Sequence, residues 1–149
     1  MEAKDVIDIN LIKTNLSFET KSEIIHFLSE TLKENDKIND IDGFVSDVYK
    51  REEQGQTGIG NFVAIPHGKS KFVNKPSVVI GINEKEIPWE SLDGKGVRVV
   101  VLFAVGNDDM AAKEHLKLLS IFARKLGNDD VIKNLINSET KDGVIEAFY

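Results

Sequence analysis

The chain has 149 residues, of which 41% are hydrophobic, and this favours a folded domain with a real core over a disordered chain. It carries 19 basic and 25 acidic residues, a net charge of −6, which argues against general nucleic-acid binding because that function needs a basic surface. There is no cysteine, which excludes disulfides, thiolate metal ligands and cysteine nucleophiles.

No segment has the features of a membrane span or of a targeting signal. The longest apolar run, Val99 to Val105, is far shorter than the roughly 20 residues that span a bilayer. The first residues lack the basic start and the apolar stretch of a signal peptide. Neither repeats nor linkers divide the chain, so we expect one cytoplasmic domain over residues 1–149.

Two helices are predicted in the first third of the chain. The first runs from Lys21 to about Asn35, because Thr20 and Glu23 have capping-box spacing and the apolar residues that follow share one arc. A second, shorter helix is predicted from 43 to about 51, with an aspartate as its cap.

Strands are predicted next, and three more helices follow them. Residues 62–65 form a weak strand candidate that Pro66 ends, whereas 77–82 and 97–105 are rich in valine and isoleucine and indicate buried strands. A long helix is predicted over 111–126, with Gly127 at its end. Two shorter helices are predicted over 130–137 and 140–148. Strands that alternate with helices indicate an α/β sandwich, in which helices cover a mostly buried sheet.

The segment 55–70 holds four of the eleven glycines and resembles two phosphate-binding motifs without matching either. Both the Walker A loop and the dinucleotide fingerprint require a glycine at position 63, where Val63 stands. Pro66 would also interrupt a helix that began there. Nucleotide binding is therefore not expected, and the segment is interpreted as a tight glycine turn, a short strand and then Pro66-His67-Gly68.

His67 is the first candidate functional residue. Proline restricts the backbone on its N-terminal side, and we expect that Gly68 has no side chain that would crowd the imidazole. The ring is then held at the end of a strand with open space beside it. A histidine in an ordinary turn is the alternative interpretation.

The other two histidines have different predicted surroundings. His26 lies opposite the apolar arc of its helix, so we expect it to face solvent. His115 lies within the apolar face of the third long helix and near its start, where the helix dipole favours a neutral imidazole and attracts anions. A histidine that is simply part of the core is the alternative. The residues assigned to that apolar face are Leu116, Leu118, Leu119, Phe122, Ala123 and Leu126.

His67, His115 and Arg51 form a candidate site when they are taken together. Both histidines lie at ends of secondary-structure elements, which meet at the functional edge of α/β sheets. The guanidinium fork of Arg51 matches phosphate geometry, although a solvated surface arginine is the alternative. The set favours anion handling over hydrolysis or metal chemistry, because a zinc site would need a third good ligand at a matching spacing.

The segment from Glu52 to Gly68 resembles the signature of the enzyme IIA components of the fructose/mannitol class of the phosphoenolpyruvate-dependent sugar phosphotransferase system. An acidic residue and six others precede Ile59-Gly60, and two more residues precede the run from Val63 to Gly68. The likeness extends upstream over 49–52 and downstream over 89–94 and 115–119. Lys69 and the residues after it carry little weight in it.

This resemblance implies a phosphoryl carrier with a mixed sheet flanked by helices on both faces. His67 would accept phosphate from phospho-HPr and pass it to a cognate enzyme IIB, which serves the membrane component IIC. His115 would be the second active-site histidine, and Arg51 the cation that faces the phosphate. Neither a metal nor a nucleotide is implied as a cofactor.

The phosphoryl oxygens also need hydrogen-bond donors, and backbone N–H groups between Thr57 and Gly60 are the predicted ones, with Gly58 among them. Fructose is the expected sugar class. Two rival functions stay open at this point. One is a regulatory IIA protein of the nitrogen-related branch, which signals through phosphorylation-dependent binding. The other is a metal-dependent hydrolase that uses His67, His115 and an acidic residue.

Overall fold

A six-stranded mixed sheet forms the centre of the computed structural model, which describes residues 2–149. The strands pair in the order β1-β5-β6-β3-β2, with β4 also paired to β6. β6 runs antiparallel to β5 and parallel to β3 and β4, and β1 runs parallel to β5. The strands are β1 (Ile12–Leu16), β2 (Gly58–Gly60), β3 (Val63–Ala64), β4 (His67–Lys69), β5 (Ser77–Ile87) and β6 (Val97–Val105).

Helices cover both faces of this sheet, as the sequence predicts. One face packs against α2 and α3, and the other packs against α1, α4, α5 and α6. No helix in the described part of the chain is both long enough and apolar enough to cross a membrane. The helices are α1 (Ala3–Val6), α2 (Lys21–Glu34), α3 (Ile41–Gln54), α4 (Asp109–Leu126), α5 (Asp129–Ile136) and α6 (Lys141–Ala147), and a 3-10 turn covers Ile9–Leu11.

The predicted elements are confirmed where the sequence pattern is strong. The capping box forms at the start of α2, where Thr20 accepts from the Glu23 N–H and the Glu23 side chain accepts from the Thr20 N–H. β6 has its predicted bounds. All of its residues but one are buried, as expected for a strand covered on both faces of the sheet. β5 continues five residues beyond its prediction. β1 was not predicted, because its Ile-Lys-Thr-Asn-Leu run is short and mostly polar.

Of two local predictions around the proline, one was wrong and one is confirmed. The chain does not turn at the glycines, because β2 and β3 form a hairpin whose turn residues are Asn61 and Phe62, both with positive φ. The strand before Pro66 does end there as predicted, since β3 stops at Ala64; the Pro66 carbonyl then accepts the Phe103 N–H at 3.0 Å, and a further strand, β4, follows. His67 consequently lies opposite Phe103 in the sheet.

A buried asparagine, Asn83, joins β5 to the loop before α2. Its Oδ1 accepts the Phe18 N–H at 2.9 Å, and its Nδ2 donates to the carbonyls of Phe18 and Lys85 at 3.0 and 2.7 Å. The side chain is fully buried, so water cannot replace these bonds. Asn83 therefore fixes the loop that leads into α2.

Replacement of Asn83 by leucine is expected to lower the free energy of unfolding by about 3 kcal/mol, because it leaves backbone groups of Phe18 and Lys85 without partners. Urea denaturation measures the change. Asn134→Leu, on the exposed surface of α5, is the control and should change stability by less than about 0.5 kcal/mol. Equal stability of the two variants would contradict this account of Asn83.

Candidate functional site

The backbone alternation of β4 determines where His67 points. Its ring lies on the face of the sheet that carries Phe103, with 5.4 Å between the ring centroids and an edge-on angle of 83°. The neighbouring Gly68 faces the other side of the sheet, against Phe44 of α3. His67 is therefore a half-buried side chain at the margin of the core.

His115 reaches the same place from α4. Asp108 caps this helix by accepting the Ala111 N–H at 2.7 Å, and β6 ends only three residues before that cap. The His115 ring centroid lies 4.8 Å from that of His67 and 5.5 Å from that of Phe103. The structure thus brings the two predicted histidines together, edge-on to each other at 81°.

Each of these two rings has one buried nitrogen without a hydrogen bond. Within residues 2–149, neither Nε2 of His67 nor Nδ1 of His115 has a partner. A buried polar atom without a partner is costly and is often found at functional sites. The expectation of a reachable His67 holds for the partly exposed ring but not for its Nε2 atom. A reaction at Nε2 requires the side chains around it to move.

The surroundings keep both imidazoles neutral. Burial, followed by the repulsion that a protonated His115 would exert and by the positive charge of Arg51, lowers the pKa of His67 from its ordinary 6.5 to about 4. Burial also lowers the pKa of His115, and the charges of Lys69 and Arg51 add to the effect. A neutral imidazole has a free electron pair on one nitrogen, so at neutral pH each ring can act as a nucleophile or as an acceptor.

Two cations lie near the rings, and the sequence analysis singled out only one of them. Arg51 lies in the last turns of α3, and its Nη1 donates to the Gly55 carbonyl at 3.1 Å. Lys69, to which the sequence analysis gave little weight, lies two residues after His67 on the same strand and therefore on the same face. Recognition of β4 as a strand would have drawn attention to Lys69.

The predicted phosphate-binding groups of the glycine segment have other partners, and this prediction needs correction. The N–H of Gly58 donates to the Glu90 carbonyl at 3.2 Å, and the N–H of Gly60 donates to Ser91 Oγ at 3.2 Å. Thr57 is buried, and its hydroxyl donates to Glu52. The two glycine N–H groups attach the β2 hairpin to the loop before β6, so they are not free to bind a phosphoryl oxygen.

Gly68 also has a different role from the predicted one. A Cβ atom at this position would lie 2.3 Å from two ring atoms of Phe44 and 3.0 Å from Val48. The missing side chain therefore makes room for α3 against β4 and not for the imidazole. This close approach brings the last turns of α3, with Arg51, to the strand that carries His67.

The exposure of His26 and of residues on α4 can also be compared with the predictions. His26 faces solvent, as predicted, and its Nε2 lies 3.1 Å from a carboxylate oxygen of Glu30. Leu116 and Ala123 were assigned to the apolar face of their helix, but both are exposed, Leu116 over 66% of its surface. His115 lines a groove of about 420 Å³ between α4 and the ends of β5 and β6. Among the described residues, no three histidine or acidic side chains lie close enough to hold a metal ion.

The amino-acid sequence is similar to a known protein family and to named members of it. Residues 5–149 match the family described as "Phosphoenolpyruvate-dependent sugar phosphotransferase system, EIIA 2". The chain is 30% identical over 146 residues to the fructose-specific EIIABC component of Bacillus subtilis (strain 168). It spans only 23% of the length of that relative. It is also 30% identical to the mannitol-specific phosphotransferase enzyme IIA component of the same organism, with 92% of each chain covered.

The fold itself also has solved relatives. The nitrogen regulatory protein IIA-Ntr of Neisseria meningitidis superimposes with a TM-score of 0.88 at 22% identity, over 98% of both chains. This likeness confirms the predicted mixed sheet with helices on both faces.

The contact between α3 and β4 can be tested by substitution of Gly68. Gly68→Ala should lower the free energy of unfolding by about 2 kcal/mol, because the added methyl group collides with the ring of Phe44. Gly55→Ala is the control, since a Cβ atom there meets nothing within 4 Å. If Gly68→Ala is as stable as this control in urea, the proposed packing of α3 on β4 is wrong.

The protonation of His67 can be tested by titration. NMR titration should give a midpoint near pH 4 for its imidazole, well below the ordinary value of 6.5. Because the folded-state pKa is the lower one, the native state loses stability as pH falls from 6.5 to 4, where the unfolded chain takes up the proton first. His67→Asn should remove this part of the pH dependence. A midpoint at or above 6.5 would contradict the burial of the ring.

Proposed function

Because the chain belongs to the EIIA 2 family of the phosphoenolpyruvate-dependent sugar phosphotransferase system, we propose that it carries a phosphoryl group on His67 between two protein partners. The observation that supports this role most strongly is the pair of adjacent imidazoles, each kept neutral by burial and by nearby cations. A neutral imidazole is a nucleophile towards phosphorus and later serves as the leaving group.

The proposed reaction moves one phosphoryl group between two histidines. The free electron pair of a His67 nitrogen attacks the phosphorus of a donor phosphohistidine. A new nitrogen–phosphorus bond forms at His67 while the donor bond breaks, and its electron pair returns to the donor imidazole. The reverse chemistry, with an acceptor protein as the nucleophile, releases the group from His67. Neither water nor a metal ion takes part in these two transfer steps.

The charged groups near His67 fit such a relay. The transferring phosphoryl group spreads negative charge over three oxygens, which cations stabilise. Arg51 and Lys69 supply positive charge from α3 and β4, and the adjacent His115 ring can donate its N–H to a phosphoryl oxygen. Since this set of donors is small, it stabilises the phosphoryl group without holding it too tightly for onward transfer.

We assign the partners by family. The donor is phospho-HPr, and the acceptor is a cognate enzyme IIB that serves a membrane component IIC. Relatives named as fructose-specific and mannitol-specific components support a role in sugar uptake, with fructose as our proposed class. The relay operates in the cytoplasm, where phosphoenolpyruvate is produced.

Phosphorylation in vitro tests this function. The chain, incubated with phosphoenolpyruvate, enzyme I and HPr, should gain one acid-labile phosphate, detected by mass spectrometry. His67→Gln should reduce the uptake to background because the amide is not a nucleophile. His26→Gln is the control and should be phosphorylated like the wild type, since His26 lies in solvent beside Glu30.

Subsequent addition of purified enzyme IIB domains tests the onward step. Loss of phosphate to a sugar-specific IIB supports the transport role. A phosphorylated chain that no sugar-specific IIB can discharge would contradict that role and would favour the regulatory alternative. Equal labelling of His67→Gln and the wild type would exclude His67 as the carrier.

A further inference from the structure

Two adjacent residues near the end of α3, Arg51 and Glu52, have different surroundings. Arg51 lies near the two imidazoles, whereas the side chain of Glu52 is only 5% exposed and faces other elements. Its Oε2 accepts from Lys21 Nζ at 2.8 Å, at the start of α2. Its Oε1 accepts from the hydroxyl of Thr57 at 2.5 Å, just before β2. One carboxylate thus joins three segments of the chain.

Further contacts complete this group, and we name Lys21, Glu52, Thr57 and Trp89 the anchor cluster. The indole Nε1 of Trp89 donates to Thr57 Oγ1 at 3.3 Å, so the threonine hydroxyl both donates and accepts. Lys21 Nζ lies 4.9 Å above the Trp89 ring and also pairs with Glu90 at 2.7 Å. A buried polar group that is fully bonded holds its members in one arrangement.

Backbone bonds connect the anchor cluster to the phosphoryl site. The carbonyl of Thr57 accepts the Ile65 N–H at 2.9 Å, two residues before His67. The carbonyl of Gly55, two residues before Thr57, accepts from the guanidinium of Arg51 at 3.1 Å. The short segment 55–57 therefore contacts both the cation of the site and the strand that leads to its nucleophile.

We infer that Glu52 is a positioning residue for phosphoryl transfer, which holds segment 55–57 and through it the guanidinium of Arg51 and the backbone before His67. This inference rests on the proposed function. A carboxylate is needed because it accepts from an ammonium and a hydroxyl at once. Glutamine has a single acceptor oxygen and no charge. With its NH₂ group towards Lys21 it would break that contact, and with its NH₂ group towards Thr57 it would leave the hydroxyl without its acceptor and replace the ion pair to Lys21 with a neutral hydrogen bond.

Glu52→Gln should slow phosphoryl transfer from phospho-HPr to His67 by about tenfold or more, because small displacements of a positioning group have large effects on rate. The matched control is Glu53→Gln, which makes the same charge change at the next residue, where the side chain is exposed. The control should transfer like the wild type. Thr57→Val removes only the hydroxyl arm and should slow transfer in the same direction, which keeps the test valid if Glu52→Gln does not fold.

A double-mutant cycle separates positioning from general destabilisation. If Glu52 acts through Arg51, its replacement should cost much less in an Arg51→Gln background than in the wild type. A purely structural role would reduce the rate equally in both backgrounds. Such additivity, or equal rates for Glu52→Gln and Glu53→Gln, would overturn the inference.

A partner-free readout keeps this inference distinct from the proposed function. NMR signals of the His67 imidazole should shift in the same direction in Glu52→Gln and in Arg51→Gln, and should stay in place in Glu53→Gln. The charged or titratable groups that act on this ring are His115 and Arg51. If the wild type takes up no phosphate, the proposed function fails, and the shifts alone support or overturn the positioning role of Glu52.

Discussion

The parallel pairing of β4 with β6 is the constraint on which the site depends. It sets His67 opposite Phe103 near the end of β6, of which all residues but one are buried, and α4 begins only a short loop later. The pairing is possible beside α3 because Gly68 leaves space for the ring of Phe44. One short strand therefore carries His67 on one face of the sheet and the contact with α3 on the other.

Burial and charge act in the same direction at this site. Removal from water lowers the pKa of His67 and of His115, and the nearby cations lower both further. The same cations would attract the phosphoryl group that a neutral ring can accept. A carrier needs both properties, since an imidazolium would have no free electron pair and an isolated imidazole would lack charge stabilisation for the group.

Much of the site could be predicted from local sequence, and the exceptions have physical reasons. Helical periodicity and the Pro66-His67 pair indicated that His67 and His115 lie at the ends of their elements, where the structure brings the two rings together, because these signals are local. The packing of Gly68 against α3 and the position of Lys69 near the two rings both depend on the pairing of β4 with β6. The three residues of β4 are too few to predict that pairing from sequence. The N–H groups of Gly58 and Gly60 donate to the loop before β6, a contact between residues about 30 positions apart. Periodicity alone also could not show that Leu116 lies at the margin of its helical face, where it is exposed.

The position of the phosphoryl group tests the central claim most directly. The ¹⁵N-labelled wild-type chain, phosphorylated by phospho-HPr, can be observed by ¹⁵N and ³¹P NMR without any substitution. A nitrogen–phosphorus coupling to a ring nitrogen of His67, with His115 unmodified, is the predicted result. A coupling to His115, or a phosphate on a residue other than histidine, would contradict the account.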